Sequence, residues 1–432
     1  MSSENVVEPV WSSASSAALD LQGLLSARVW PLVFIASLLL LIGLGLPMVY
    51  SATVHNYEAR LFWNQIVWLI IASVMAVGVS LLPFRFLVRY SFWGLLLVSG
   101  LLFYLAFAWL TNKLYPGSLH YFPFCSEIKG AVRWLRLSIG SHVWQIQPSE
   151  FAKVFLLLFL ASYYGTLPRK EIKRLTAGIL LPGCTVGAVL FLILLGKDLS
   201  STVITGATCL AMMFYAGARI PYLLLIVALG LLVGTAAIKM SPERQSRMTS
   251  YKNPEAEQLG DAFQLWRSQL GMGGGGLKGR GFSKGVIKTF LPEAHTDFIV
   301  AVIGEELGFL GVSLVFFLYL SLSTSIVFIA RQCRGRPEML LCLGIATLFC
   351  MQALINIGVV SGWCPTTGVT APFLSYGGSS LMVLLICSAL VIKVSMRNLY
   401  LIWQEITESQ WHLTYKASDS IKAKRSVRQG SH

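Results

Sequence analysis

Apolar runs of about twenty residues recur ten times along the chain, each closed off by a polar break. A run of that length crosses a ~30 Å hydrocarbon core as a helix. Backbone left unpaired in lipid is prohibitively costly, so each run must be helical rather than open sheet. The pattern predicts spans over residues 30–50, 61–81, 91–110, 149–167, 175–195, 199–217, 221–239, 298–330, 339–362 and 380–397. The eighth is overlong and is expected to begin as irregular chain near Pro292. The fold class this implies is all-α: a polytopic membrane protein of about ten transmembrane helices. The expected division is a cytoplasmic tail over 1–28, a ten-helix membrane domain over 29–397 and a basic cytoplasmic tail over 398–432. The first 27 residues are polar and Ser-rich, and the run after them is long enough to stay in the membrane as an anchor rather than be removed as a signal peptide.

Most of the polar breaks are short, but two are long: about 111–148 and 240–297. Long connections that are not low-complexity usually carry function. Lys and Arg in the short breaks set the orientation. Ten of them, including Arg85, Arg169, Lys173, Arg334 and Arg336, fall on one side, against Arg60 and Lys197 on the other. Both termini are therefore expected in the cytoplasm and both long loops outside. The outer loop 240–297 nevertheless carries nine Lys or Arg, counting Lys239, against six Asp or Glu. Basic charge on that face points to an anionic partner at the outer leaflet, such as a phosphate-bearing lipid.

Composition sharpens the exclusion of a soluble fold. Of 432 residues, 55% are hydrophobic and 12% charged, about half the charged share of a soluble domain. The formal net charge of +14, with Lys422, Lys424, Arg425 and Arg428 in the tail, is read as orientation signal and anionic-lipid contact, not as a nucleic-acid site. Eight cysteines make no CxxC pair, so neither a zinc nor a thioredoxin-type site is indicated. Cys125 and Cys364 fall in outer loops, where a disulfide is permitted, although two unpaired thiols are the favoured expectation.

Ionisable groups at membrane depth are expensive and by default mark function. Four clusters stand out. The first joins Gly130-Ala131-Val132-Arg133-Trp134 to Gln147-Pro148-Ser149-Glu150-Phe151-Ala152-Lys153, where Glu150 and Lys153, three apart, share a helix face. A plain internal ion pair is the competing explanation. The second is Lys197-Asp198, where Asp198 is expected to cap the next helix. The third runs from Leu291-Pro292-Glu293-Ala294-His295-Thr296-Asp297-Phe298 into Gly304-Glu305-Glu306-Leu307-Gly308. Asp297 falls where the long loop meets the bilayer, a place where burial can raise a carboxylate toward general-base range. Glu305 would lie about 12 Å further along a helix. The fourth is Pro365-Thr366-Thr367-Gly368 through Ser375-Tyr376-Gly377-Gly378-Ser379-Ser380, with hydroxyls for sugar or phosphate. The Gly271–Gly281 stretch lacks the Gly-Lys-Ser/Thr ending of a P-loop and is expected to be a mobile loop.

The motifs Gly130–Trp134, Gln147–Lys153, Leu291–Gly308 and Ser375–Ser380, in this order on ten spans, resemble the SEDS family (shape, elongation, division and sporulation) over residues 30–397. Ala294 and the Gly304-Glu305-Glu306 run look like the division branch; the elongation branch more often has a basic residue at the Ala position. The resemblance implies a peptidoglycan glycosyltransferase of the bacterial cytoplasmic membrane, acting at the division septum and polymerising lipid II on the outer face. It further implies a class B penicillin-binding protein as partner, with other division-machinery proteins and membrane lipids around it. Carried over by motif, Asp297 is the catalytic residue and Arg133, Glu150 and Lys153 match polar residues of the family's central cavity; Lys288, His295 and Ser379 are further expected substrate contacts. No cofactor is certain; a divalent cation such as Mg²⁺ is compatible with a pyrophosphate leaving group. The chain departs from the family pattern at Gly196-Lys197-Asp198, at Asp261-Ala262-Phe263-Gln264 and in an enlarged first outer loop around Tyr115–Lys129. Two other function classes fit a polytopic chain with charged residues inside: a lipid II flippase and a non-catalytic scaffold of the division machinery. Asp297 discriminates them, since polymerisation needs it and a scaffold does not.

Overall fold

The computed structural model describes residues 10–57, 60–128, 130–139, 142–241, 245–246, 248, 261–291 and 293–429. Lys129, Pro292, the ends of both expected tails and part of the 240–297 loop lie outside the described residues. In chain order the helices are α1 (Val10–Tyr57), α2 (Arg60–Leu81), α3 (Phe84–Leu114), α4 (Pro148–Thr166), the single turn α5 (Arg169–Ile172), α6 (Leu181–Leu195), α7 (Leu199–Ala216) and α8 (Ile220–Lys239). They continue with α9 (Asp261–Gly274), the single turn α10 (Ile287–Phe290), α11 (Ile299–Arg331), α12 (Arg336–Val360) and α13 (Gly378–Gln429). A π turn over Thr176–Leu180 leads into α6.

Among the described residues nine helices are long and apolar enough to cross a membrane. The one remaining span of the sequence pattern, 149–167, is α4, whose 19 residues include Glu150 and Lys153. Those charges lower its hydropathy, and the bundle compensates by packing α4 against α3, α7 and α12. The innermost helices are α12 and the first half of α13, which rests on α2. At the opposite extreme, α8 buries only Leu223 and touches the bundle through α7, as a lipid-facing helix does. α1 and α13 run through residues 28 and 398 without interruption, so neither expected domain edge coincides with a break in the backbone.

The first long connection is not an irregular loop. It forms a three-stranded antiparallel sheet of β1 (Cys125–Ile128), β2 (Ala131–Ile139) and β3 (His142–Ile146), in the order β1-β2-β3. Cys125 pairs with Leu135 and Leu137 with Trp144. The β-branched and aromatic side chains of Val132, Trp134 and Trp144 suit a half-buried pleat. Trp144 meets Trp68 of α2 edge-on at 4.8 Å. Gly378 makes room for that pair, because a Cβ there would sit 2.3 Å from Trp68.

The Gly-rich segment is also different from the mobile loop the sequence predicts. Its glycines let two backbones touch: a Cβ at Gly275 would fall 2.0 Å from the Gly304 carbonyl oxygen, and one at Gly279 2.1 Å from that of Glu306. The Arg280 and Gly281 amides donate to the Glu305 and Glu306 carbonyls at 2.9 and 3.0 Å. In return, Phe309 donates to Gly276 at 2.8 Å. Gly308, at φ 70°, interrupts the regular helix of α11 to make this contact possible. All eight cysteines are free, so Cys125 and Cys364 are not joined.

Candidate functional site

The bundle end that carries the sheet also gathers the polar motifs. Arg133 leaves β2 and donates through Nε and Nη2 to the carbonyls of Gly196 and Lys197, at 2.9 and 2.6 Å. Lys197 returns a bond to the Gly130 carbonyl at 2.9 Å. Arg133 thus braces the sheet on the α6–α7 turn, with its guanidinium half-buried. Asp198 is the N-cap of α7, as expected: Oδ1 accepts from the Ser201 amide at 3.1 Å. Its Oδ2 accepts from Gln147 Nε2 at 3.0 Å, which ties the start of α4 to the start of α7.

One turn into α4, Lys153 Nζ lies 2.5 Å from Glu150 Oε1, and both residues are buried. Two opposite charges at this spacing relieve part of each other's cost in a low dielectric. The relief is incomplete, because Glu150 Oε2 is buried and has no hydrogen-bond partner among the described residues. A carboxylate oxygen in that state demands a donor from water or a ligand.

Asp297 ends the turn that leads into α11 and is half-buried. Its carbonyl accepts from Asn356 Nδ2 of α12 at 2.8 Å, and the same amide nitrogen reaches the Val369 carbonyl at 2.6 Å. The preceding residues are clamped from the other side. Ser375 Oγ donates to the Thr296 carbonyl at 2.5 Å, and the Tyr376 amide donates to the His295 carbonyl at 2.8 Å. Glu293 occupies the left-handed region at φ 59°, and its carbonyl accepts from Thr296 Oγ1 at 3.1 Å. Gly368, at φ +73°, passes close enough that a Cβ on it would lie 3.5 Å from Asp297 Oδ2. Burial lowers the pKa of His295, partly offset by the charge of Glu293, which favours the neutral ring.

Five consecutive residues join the two halves. Ser375 and Tyr376 hold the Asp297 turn, while Ser379 Oγ accepts from the Gln147 amide at 3.0 Å and donates to the Gln145 carbonyl at 3.3 Å. Ser200, in the first turn of α7, donates to the Thr367 carbonyl. The four sequence clusters, apart from Glu305 and Glu306 of the third, therefore converge on one end of the bundle, around the loop before α13. Ser379 and Arg133 lie there in bracing positions. His295 presents its backbone to the same network and its ring to Tyr376, 5.6 Å away.

Lys288 is elsewhere. Its amine is buried and donates to Glu306 Oε1 at 2.7 Å and to Ser51 Oγ at 2.8 Å. These two bonds tie it to α1 and α11 and leave one of its three protons. Glu305 is engaged in the same way: its carboxylate accepts from the Val286 and Ile287 amides, each at 2.9 Å, and pairs with Arg280 at 3.1 Å. Two side chains that matter were passed over in the sequence. Asn356 fixes the Asp297 carbonyl, and Gln65 of α2 bonds Ser375 O at 3.2 Å and Gly377 N at 3.3 Å. Both are neutral amides inside apolar runs. A search confined to ionisable groups does not see them, although buried amides carry the same signal.

Comparison with known proteins places this arrangement. Residues 29–400 match the FtsW/RodA/SpoVE family, described as a cell cycle protein family. A Coxiella burnetii protein named "Probable peptidoglycan glycosyltransferase FtsW" is 36% identical over 370 residues, 82% of this chain and 93% of its own. Stage V sporulation protein E of Bacillus subtilis is 34% identical over 378 residues, 85% and 98% of the two chains. Among solved structures, a chain from a peptidoglycan synthase complex that coordinates polymerization and crosslinking superposes with a TM-score of 0.68. It is 27% identical, over 84% of this chain and 97% of that one. Thermus thermophilus RodA gives 0.58 at 26% identity, over 84% and 95%. With the ten-span bundle and all four motif clusters accounted for, the chain belongs to the FtsW/RodA/SpoVE family.

Proposed function

We propose that this chain is a peptidoglycan glycosyltransferase that polymerises lipid II, with Asp297 as the general base. The sheet-bearing end faces outward, both termini are cytoplasmic, and the protein works at the division septum beside a class B penicillin-binding protein. The observation that carries the reading is the Asp297 turn, a half-buried carboxylate whose backbone is fixed from α12 and from the loop before α13. Chain growth requires a sugar 4-hydroxyl to attack an anomeric carbon bearing lipid pyrophosphate. That hydroxyl is a poor nucleophile, and a positioned carboxylate accepts its proton as the bond forms. The pyrophosphate departs with the electron pair of the broken C–O bond, and its charge is met by Lys and Arg at this end. One general base acting on the acceptor hydroxyl, without a covalent intermediate on the protein, corresponds to a single displacement with inversion.

Among the described residues no group of three or more His, Cys, Asp or Glu side chains converges as a metal site. A Mg²⁺ carried by the pyrophosphate would need only one or two protein carboxylates and would neutralise leaving-group charge. Branch membership rests on Ala294 and the named relatives, which favour FtsW over RodA.

The deciding experiment supplies lipid II to the purified protein with its partner and measures glycan strands. Asp297→Asn keeps size and hydrogen bonding but is too weak a base to accept the proton. The expected loss is 10²–10⁴-fold or more, with folded yield and partner binding unchanged. Near-wild-type strand formation would place the base elsewhere and return weight to a flippase or a scaffold.

A further inference from the structure

The end of the bundle away from the sheet holds a separate feature. A cleft of about 200 Å³ opens where α2 gives way to α3, with α12 and α13 forming its far wall. Its floor is apolar, made by Pro83, Phe84 and Val394, and three cations surround it: Arg85, Lys393 and Arg397, against the single carboxylate of Glu338.

The cations are only partly used. Lys393 Nζ donates to the carbonyls of Ser80 and Leu82, which leaves one of its three protons. Arg397 pairs through one guanidinium nitrogen with Glu338, and its side chain is 46% exposed. Arg85 is exposed and makes no hydrogen bond or ion pair among the described residues. The neighbouring surface is apolar rather than wet: Leu81, Phe86 and Met396 are exposed at 78, 46 and 68%. An apolar cleft with an excess of two positive charges at the end of a membrane span is complementary to a phosphate joined to hydrocarbon.

We propose that this cleft binds one anionic phospholipid, with the phosphate among Arg85, Lys393 and Arg397 and the glycerol on Phe84 and Val394. Free phosphate offers the same charge but gains nothing from the apolar floor or the exposed rim, so the lipid is the occupant favoured. The inference does not depend on the role of Asp297.

The test uses the full chain in nanodiscs, released into native mass spectrometry, with either phosphatidylglycerol or phosphatidylcholine as the bilayer lipid. One phosphatidylglycerol should remain bound per chain, and no phosphatidylcholine. Each cation near an anionic headgroup is worth about a fivefold change in affinity. Arg85→Gln should therefore weaken retention about fivefold and Arg85→Glu by a further similar factor. Lys173→Gln, at the same end but outside the cleft, should leave it unchanged, and matched melting curves establish that the variants are folded. Equal retention of phosphatidylcholine would overturn the proposal. So would a loss in Lys173→Gln as large as in Arg85→Glu, or displacement of the lipid by millimolar inorganic phosphate.

Discussion

Two buried lysine–glutamate pairs sit among the described residues, and they are built differently. Lys288 and Glu306 are both almost fully buried, 2.7 Å apart, and Glu306 is saturated. Its Oε1 accepts from Lys288 and from Ser51 at 2.6 Å, and its Oε2 from the Ser283 amide at 2.9 Å. Lys153 and Glu150 are closer still, at 2.5 Å, but among the described residues Glu150 accepts from Lys153 alone, and its second oxygen is buried and unpartnered. A saturated pair is finished structure, tying α1, the Gly-rich segment and α11 together. An unsaturated one keeps acceptor capacity in reserve, at a cost to the fold that only a ligand or water repays. Charge and burial alone do not separate the two; the count of partners does.

Breaking the saturated pair should produce the largest effect. Lys288→Met removes the cation and leaves a buried carboxylate with two neutral donors. Loss of one member of such a pair costs ~3–5 kcal/mol. Denaturant unfolding in detergent should show that loss directly, together with a fall in folded yield. If Lys288→Met is as stable as wild type but inactive, Lys288 belongs with the substrate groups and the contrast fails.

The backbone contact beside that pair comes next. Gly279 has φ +79°, and a Cβ there would lie 2.1 Å from the Glu306 carbonyl oxygen. Gly279→Ala combines a disfavoured conformation, about 1–3 kcal/mol, with separation of two hydrogen-bonded segments. Proteolysis of the 275–288 segment should accelerate in step with the stability loss. An unchanged cleavage rate would restore the mobile loop expected from sequence.

The open pair is tested by rate rather than by stability. Glu150→Gln keeps shape and one acceptor but loses charge. A charge-assisted hydrogen bond is worth ~1.5–3 kcal/mol, which as transition-state stabilisation is about 10–100-fold in rate. Polymerisation should fall by that factor while the unfolding midpoint moves less than in Lys288→Met. The reverse order, stability lost and rate kept, would make Glu150 a brace like Glu306.

What the sequence made legible follows the same division. Hydropathy runs located the spans, because lipid demands them of any sequence that crosses. Asp297, the Glu150–Lys153 pair and the Asp198 cap were legible because charge in an apolar context is conspicuous. The charge of Lys288 is legible in the sequence, but its buried partners Glu306 and Ser51 are not. Ser51, Gly275 and Gly279, which commit the Lys288 region to the fold, look like ordinary small residues until two distant backbones meet. The sheet was missed for a related reason: strands of four to nine residues are too short to register beside helical runs of twenty. Asn356 and Gln65 carry no charge, so their role at the Asp297 turn appears only when their carbonyl partners are in place.

Asp198 gives the smallest expected effect and the finest cut. It is buried, but both oxygens are partnered by neutral donors, the Ser201 amide and Gln147 Nε2. By the partner count it resembles Glu306, yet it has no cation beside it to lose. Asp198→Asn retains a side-chain oxygen for the Ser201 amide, so the cap survives and stability should stay within a few tenths of a kcal/mol. Asp198→Ala removes the cap and frees Gln147, at about 1 kcal/mol, because the start of α4 loses its tie to α7. Polymerisation should track that modest loss in both variants. An Asp198→Asn protein that unfolds like wild type but makes no strands would show that the negative charge itself is needed. Asp198 would then join Glu150 among the groups that act on substrate, and saturation by neutral donors would no longer mark a carboxylate as structural.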